Sequence, residues 1–327
     1  MKALTFAVLR LLGDGEFHSG EDLANALGIS RATICNALKG VDDAGLALYK
    51  IRGRGYRLVE PLQWLDKAKI AAELGAHGDR FNVELIDCIA STNTLLMQKA
   101  VLGAVRDSVI AAEMQTHGRG RRGRSWHSNL GEALTFSVLW RTDQGVGALS
   151  GLSLVVGVAL LRALKSLGVT GAALKWPNDV LHHYCKLAGI LIEVQGEVLG
   201  PSLAVIGIGI NLKLSEHTKR SIDQPTTDLY SITGAAPERN QALGCVLRHM
   251  AEVLDIFGAK GFKGLRAEWV EHHAYHNKNV RILLPDDGAQ EGVVTGVDID
   301  GALLVKSRSG ERRYSTGEIS LRAERVL

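Results

Sequence analysis

Net charge is nearly absent from this 327-residue sequence: 38 basic side chains stand against 35 acidic ones, a formal net charge of +3. A chain so balanced has no bulk field to hold it on nucleic acid or on an acidic surface, so any such contact rests on local placement of charge. Cysteine is scarce as well. Cys35, Cys88, Cys185 and Cys245 lie far apart and none forms a C-x-x-C pair. That argues against a disulfide framework and a zinc–thiolate site, and leaves the reduced thiols of a cytoplasmic protein as the simple reading. Long apolar runs are missing: the run Gly151–Leu161 stops at Arg162, too short to span a bilayer. The stretch from Lys2 to Leu9 imitates a signal peptide, but Arg10 interrupts it and no small-residue cleavage site follows. There is no internal repeat and no low-complexity tract. What is plentiful is apolar material, 46% of the chain against 22% charged, enough to build a sizeable core in two or three domains.

Three units are expected. Residues 1–62 begin with an apolar helix (about Ala3 to Leu12) that ends at Gly13. Ser19 with Asp22 three residues on reads as the cap of a second helix, running to Leu27. Gly28-Ile29-Ser30 makes a tight turn, and Ser30 caps a third helix over Arg31–Lys39. Two short helices around a glycine turn form a helix-turn-helix pattern. Strand-like residues on either side of Arg52-Gly53-Arg54-Gly55 add a basic hairpin, which makes the unit a winged helix. Ile34, Ala37, Leu38 and Val41 form the apolar face of the third helix, leaving Ser30, Arg31, Thr33, Asn36 and Lys39, with Arg52 and Arg54 of the wing, to meet DNA. With 8 basic and 7 acidic residues in this unit, that contact runs mainly through phosphates; a protein-interaction module is the competing reading. Residues 63–270 interleave strands (Val83–Ile86, Ser108–Glu113, Ala133–Leu139, Ile190–Val194, Ala204–Ile210) with helices (Asn93–Ala100, Leu154–Ser166, Gln241–Phe257), without the regular alternation of a doubly wound sheet. The expected class is α+β with one mixed or mainly antiparallel sheet. Residues 271–327 carry short strands between tight glycine turns, the signature of a small β-barrel.

The densest chemical signal is Gly118-Arg119-Gly120-Arg121-Arg122-Gly123-Arg124-Ser125-Trp126. Its glycines satisfy G-x-G-x-x-G, yet arginines fill the intervening positions and no apolar helix follows, so a dinucleotide fold is excluded. Glycines admit phosphates close to the backbone and guanidinium groups neutralise them, which suits either a small phosphate ligand or nucleic acid. In Lys175-Trp176-Pro177-Asn178-Asp179, proline pins a turn that presents an amide and a carboxylate, groups able to meet a purine edge and magnesium. Lys186 opens an apolar strand at a sheet rim; Gly207–Asn211 is an apolar strand ending in Asn; Ser91-Thr92-Asn93 opens a helix. His272, His273 and His276 lack a third type of metal ligand beyond Glu271 and read as surface histidines, so no tightly bound metal is expected.

Taken together and in order, Ser91-Thr92-Asn93, Gln115, Gly118–Trp126, Lys175–Asp179, Lys186-Leu-Ala-Gly, Gly207–Asn211 and Gly317–Arg322 resemble the biotin–protein ligases, and Gly15–Gly20 with Gly53–Tyr56 resemble the winged helix of the bifunctional ligase/biotin operon repressors. The resemblance implies a central domain of the biotin/lipoate ligase type and an SH3-like C-terminal barrel. It implies that biotin and ATP, with Mg2+, form biotinoyl-AMP, and that biotin then passes to a lysine of the biotin carboxyl carrier protein of acetyl-CoA carboxylase. It further implies a homodimer when liganded, binding to operator DNA as a repressor of biotin synthesis genes, and no membrane. By similarity Ser91, Thr92, Asn93 and Gln115 face the ureido ring, with Gly118, Arg119, Gly120, Arg121 and Lys186 around biotin. Arg119, Arg121, Arg124, Trp126, Lys175, Asn178, Asp179 and Asn211 serve the adenylate, with Asp179 the candidate for magnesium and Lys186, Arg119 and Arg121 the catalytic charges. One segment departs from the pattern: repressor members can close the adenine pocket with an aromatic residue, whereas Gln224-Pro-Thr-Thr-Asp228 offers none, so that either the adenylate is held less tightly or Ile222 and Leu229 cover the base. A lipoate-type ligase and a ligand-sensing transcription factor without ligase activity are the rival functions.

Overall fold

Gly28 closes one helix and Ser30 opens the next, and that local chemistry sets the N-terminal unit. The structure is a computed structural model that describes the whole chain except residues 128, 236–237, 284–287, 316–319 and 324–327. Helices α1 (Ala3–Leu11), α2 (Gly20–Leu27) and α3 (Arg31–Ala37) precede the hairpin β1 (Leu48–Ile51) and β2 (Gly55–Leu58). The Ser19 hydroxyl accepts the Asp22 N–H at 3.0 Å and the Ser30 hydroxyl accepts the Thr33 N–H at 3.2 Å. Helix α3 stops before Lys39, two residues short of the expected end, because Leu38 turns into the core and Gly40 takes a left-handed φ of 78°. At the wing, His18 and Tyr56 exchange backbone hydrogen bonds of 2.9 Å, so a Cβ on Gly55 (φ 95°) would lie 2.0 Å from the His18 carbonyl oxygen. Only glycine fits there.

The middle of the chain runs α4 (Lys67–Leu74), β3 (Asn82–Ile89), α5 (Thr92–Val101), β4 (Ser108–Gln115), β5 (Ala133–Thr142), α6 (Leu152–Ser166), β6 (Ala172–Lys175), β7 (Asp179–His182), β8 (Cys185–Gly196), β9 (Ser202–Asn211), α7 (Glu216–Ser221), α8 (Leu229–Thr233), α9 (Arg239–Lys260) and α10 (Arg266–Glu271). Its seven strands form one sheet in the order β3-β4-β5-β9-β8-β7-β6. Only β3 and β4, joined through α5, are parallel; every other pairing is antiparallel. This is the mixed, mainly antiparallel sheet that the interleaved pattern implied. Strands β6 and β7 and helices α4, α7, α8 and α10 are additions to that reading.

The sheet has two unlike faces, set by the period-2 alternation of strands. On β9, Ile206, Ile208 and Ile210 join the large core beneath α6 and α9. Leu203 and Val205 face the other way and pack under α5, and Gly207, Gly209 and Asn211 continue that second face beyond the helix. Residues Val146–Ser166 are apolar and long enough to cross a membrane by composition, but 67% of the window is buried. Helix α6 lies between the sheet and α9, which accounts for its hydropathy without a bilayer.

The C-terminal strands β10 (Asn279–Leu283), β11 (Ala289–Val297), β12 (Leu303–Ser307), β13 (Gly310–Tyr314) and β14 (Ser320–Ala323) form a five-stranded antiparallel sheet in the order β13-β12-β11-β10-β14. Val280, Ile282, Val294 and Leu303 extend the central core. Of the motif Gly317–Arg322, residues 317–319 lie outside the described residues. The histidines are not alike, nor all on the surface. Helix α10 ends at Glu271, so His272 and His276 share no helical face. His273 is buried, with its ring 4.6 Å from that of Trp269, and burial with His276 nearby pushes its pKa down to about 3. Among the described residues no group of His, Cys, Asp and Glu could hold a metal ion.

Candidate active site

The glycine face of β9 and β8 is the floor of an open cleft. The floor is made of glycine because side chains cross it. A Cβ on Gly207 would lie 2.3 Å from Asn93 Oδ1, and one on Gly209 would lie 2.3 Å from the Trp126 ring. Gly189, paired with Gly209 across the strands, lies beneath the same indole and beside the Lys186 ammonium. From Gly207 to Asn211 is four residues of strand, about 13 Å at the usual rise, and the two ends of that line have different chemistry.

At the Gly207 end, α5 begins. Ser91 caps it, its hydroxyl accepting the Thr94 N–H at 3.5 Å. Gln115, at the end of β4, accepts from the Thr92 N–H at 2.8 Å and the Thr92 hydroxyl at 3.1 Å. Ser137 on β5 donates to the Thr92 hydroxyl at 2.7 Å and lies 2.6 Å from Asn93 Oδ1. The Asn93 amide donates to the Leu191 carbonyl at 3.2 Å and to Glu193 at 2.9 Å. The result is a cluster of hydroxyl and amide groups locked in orientation by one another. Ser137 and Glu193 were not anticipated: one polar residue in an apolar strand, and one acid within a long strand, carry no local pattern.

The arginine loop folds over this end as a small hairpin. Gly120 N–H donates to Arg124 O at 2.7 Å and Trp126 N–H to Gly118 O at 2.9 Å. Gly118 itself is not in the lining; it lies against the Trp126 carbonyl, where a Cβ would come within 2.4 Å. Arg119 reaches Glu193 at 2.7 Å and the Thr94 hydroxyl at 3.1 Å. Arg121 turns the other way and donates to Asn178 Oδ1 at 3.3 Å. Burial pushes the Arg121 pKa down, Asp179 pushes it up, and Arg122 and Arg124 lower it further. An entering anion would relieve that crowding of positive charge.

Lys186 owes its direction to an irregularity that the sequence does not advertise. Across the β7–β8 ladder Val180 pairs with Ala188 but Leu181 pairs with Lys186, so Leu187 is an extra residue. Leu187 and Ala188 both enter the core, and the bulge turns Lys186 to the cleft face shared with Gly189. Its ammonium lies 2.8 Å from Asp179 and 5.6 Å from the Trp126 ring centroid. Asp179 begins β7, after the turn that contains the cis Trp176–Pro177 bond. Asn178 is held by donating to the Ile190 carbonyl at 2.6 Å, and Lys175 places its ammonium 6.0 Å from the Tyr275 ring. Asn211 does not project free into the cleft: its amide donates to the Thr227 carbonyl at 2.9 Å and the Lys186 carbonyl at 3.3 Å. It thereby fixes the segment that brings Ile222, Gln224 and Thr226 into the lining. Leu229 is buried away from it. Among the described residues lining the cleft, six are arginine or lysine and Asp179 is the one carboxylate.

The DNA-facing candidates of the N-terminal unit are exposed, save Thr33. Arg31, Asn36 and Lys39 are exposed, Thr33 is half-buried, and Ser30 is the cap of α3. Arg52 and Arg54 are exposed at the wing turn, with Arg54 4.3 Å above the Phe17 ring.

Comparison with known proteins covers all three parts of the chain. The model of the Biotin/lipoate A/B protein ligase family matches residues 85–211, an HTH domain model matches 5–57, and the Biotin protein ligase C terminal domain matches 275–322. The bifunctional ligase/repressor BirA of Salmonella typhimurium is 36% identical over 317 residues, 97% of either chain. That of Escherichia coli is 35% identical over 97% of this chain and 96% of its own. The biotin protein ligase from Aquifex aeolicus, solved in complex with biotin and ATP, superposes with a TM-score of 0.63 at 30% identity, over 74% of this chain and 99% of that one.

Proposed function

The chain belongs to the family of bifunctional biotin–protein ligase/repressors, and on that footing we propose that its cleft joins biotin to ATP as biotinoyl-AMP and then passes biotin to a carrier lysine. The observation that carries this reading is the polarity of the cleft along β9: a hydroxyl–amide cluster at Gly207, six cations and one carboxylate in the middle, and Ile222, Gln224 and Thr226 at the far end. A cyclic urea offers two donors and one strong acceptor, which the Ser91, Thr92 and Gln115 groups complement. A lipoyl ring offers no such set, so the polar end favours biotin.

In the first step the biotin carboxylate attacks the α-phosphorus of ATP and pyrophosphate leaves. No covalent bond to the protein is needed. Lys186, aimed by its bulge, neutralises the oxygens of carboxylate and α-phosphate, and Arg119, Arg121 and Arg124 neutralise the rest. Magnesium fits as a companion of the substrate, held by Asp179 and phosphate oxygens, since such sites commonly use one or two carboxylates plus phosphates. The mixed anhydride reacts with water, and the arginine loop, hinged at Gly118, Gly120 and Gly123, shields it. In the second step the carrier's lysine amine attacks the acyl carbon and AMP leaves. The acceptor is the biotin carboxyl carrier protein of acetyl-CoA carboxylase.

We assign DNA binding to residues 1–62, with α3 in the major groove and the Arg52–Arg54 wing on phosphates or in the minor groove. Catalysis belongs to 63–270, and 271–327 form the C-terminal unit. A liganded homodimer presenting two winged helices matches a two-fold operator, which makes the adenylate a corepressor. Its place is the cytoplasm, where ATP is made and the four free cysteines stay reduced. The test is pyrophosphate release from ATP and magnesium with biotin, and with lipoate as control. Release with biotin alone supports the ligase. Release with lipoate alone points to the lipoate-type enzyme, and none with either acid leaves a ligand sensor.

A further inference from the structure

One buried carboxylate takes no part in the lining of the cleft, yet holds an entire segment beside it. Glu132, 6% exposed, lies just before β5. Its Oε1 accepts the Ser215 N–H at 3.0 Å; its Oε2 accepts the Thr218 hydroxyl at 2.6 Å and the Asn129 amide at 3.0 Å. Its backbone carbonyl accepts the N–H groups of Leu212 at 2.8 Å and Lys213 at 3.1 Å. Four of these five donors belong to residues 212–218, the stretch that leaves β9 and enters α7. A helix of six residues cannot hold itself together in water. It needs an anchor, and Glu132 supplies one from the turn that leads into β5. A second buried carboxylate closes the far side: Asp228 accepts the N–H groups of Leu214 at 3.3 Å and Ser231 at 2.7 Å and lies 3.2 Å from the Lys219 ammonium.

Helix α7 ends at Ser221, and the next residue, Ile222, lines the cleft with Gln224 and Thr226. The position of these three side chains is therefore set by the depth at which Glu132 seats α7. We propose that Glu132 is a positioning residue for the nucleotide: it holds the Leu212–Ile222 segment in its ligand-binding place before any ligand arrives, and so tightens ATP without touching it. The proposal rests on the assignment of the Asn211 end of the cleft to the nucleotide. It also accounts for the missing aromatic in 224–228: where hydrogen bonds preform the segment, an aromatic that closes on the base is not needed to order it. The carboxylate is required because it accepts from three donors at once, whereas glutamine would turn a donor of its own toward Thr218 or Asn129.

The experiment uses the full chain and the variants Glu132→Ala, Glu132→Gln and Thr218→Val, the last removing the buried hydroxyl at almost constant volume. The KM for ATP and the KM for biotin are measured separately in biotin-dependent pyrophosphate release. Equilibrium dialysis with ATP alone and thermal unfolding accompany them. The expected result is a KM for ATP and a dissociation constant for ATP raised about tenfold, as loss of a buried hydrogen bond implies. Biotin KM should change less than about twofold, with Thr218→Val and Glu132→Gln between wild type and Glu132→Ala. Equal weakening of biotin and ATP, or folded variants that bind ATP as tightly as wild type, overturns the proposal. Wild-type protein that binds ATP but releases no pyrophosphate sinks the ligase reading instead, and the dialysis contrast still decides the role of Glu132.

Discussion

Replacing Glu113 with Gln should cost more stability than any surface substitution, because Glu113 and Arg239 form an ion pair whose side chains are 2% and 4% exposed. Arg239 reaches Glu113 Oε2 and the Gln63 carbonyl, each at 2.6 Å, while Glu113 Oε1 accepts the Leu65 N–H at 2.7 Å. The pair thus ties the stretch that leaves the winged helix, residues 63–65, to the first turn of α9. Glutamine keeps the shape and removes the charge, which strands a guanidinium in the core. Breaking a buried pair from one side costs about 3–5 kcal/mol. At roughly 2–4 °C per kcal/mol for a unit of 150–250 residues, the unfolding midpoint should fall by about 6–20 °C. Glu113→Leu combined with Arg239→Met should recover most of the loss, since apolar replacement of a whole buried pair is close to neutral. Recovery stops short by about 1–3 kcal/mol, because the Leu65 N–H loses its acceptor. Thermal unfolding followed by circular dichroism at neutral pH reads wild type, Glu113→Gln, the double variant and its two singles. A Glu113→Gln shift within about 2 °C, or a double variant no better than its singles, would refute the reasoning.

Three further outcomes follow from the same geometry. Lys186→Met should lower biotin-dependent pyrophosphate release by about 10²–10³-fold, the usual loss when a charge-stabilising donor is removed, and should weaken biotin binding in a titration because the same ammonium faces the biotin carboxylate; unchanged turnover would remove Lys186 from the chemistry. His273, neutral in the fold with its pKa pushed down to about 3 from 6.5, contributes stability that is present above pH 6.5 and lost as pH falls toward 3; the slope is at most about 1.4 kcal/mol per pH unit. His273→Phe keeps the ring against Trp269 and should flatten that acid loss; equal slopes for both proteins would contradict it. Arg54→Ala should weaken binding to all DNA sequences alike and reduce the salt slope by about one counterion, measured by fluorescence anisotropy at several salt concentrations; a change confined to one sequence would place Arg54 on a base.

Legibility in the sequence followed the range of the physics. Ser19, Gly28 and Ser30 act on their own neighbours, so the caps and turn of the winged helix could be read directly. The apolar run Ala204–Ile210 similarly read as a strand, and the family motifs marked side chains that the fold gathers into one cleft. What escaped depends on partners distant in the chain. The bulge at Leu187 exists only in the pairing with β7. Ser137 meets Asn93 across 44 positions, and Glu132 meets Thr218 across 86. Asn211 lines the cleft, and the sequence does not show that its amide also donates to the Thr227 and Lys186 carbonyls. The histidines were read as a surface cluster, but α10 stops at Glu271 and the fold buries His273.

The most direct test of the account is the intact mass of the carrier domain of acetyl-CoA carboxylase after incubation with this protein, biotin, ATP and magnesium. The account predicts one biotin added, on a single lysine, with ATP and biotin both required and with none added by Lys186→Met in the same time. An unchanged carrier mass, or a biotin added without ATP, would contradict it.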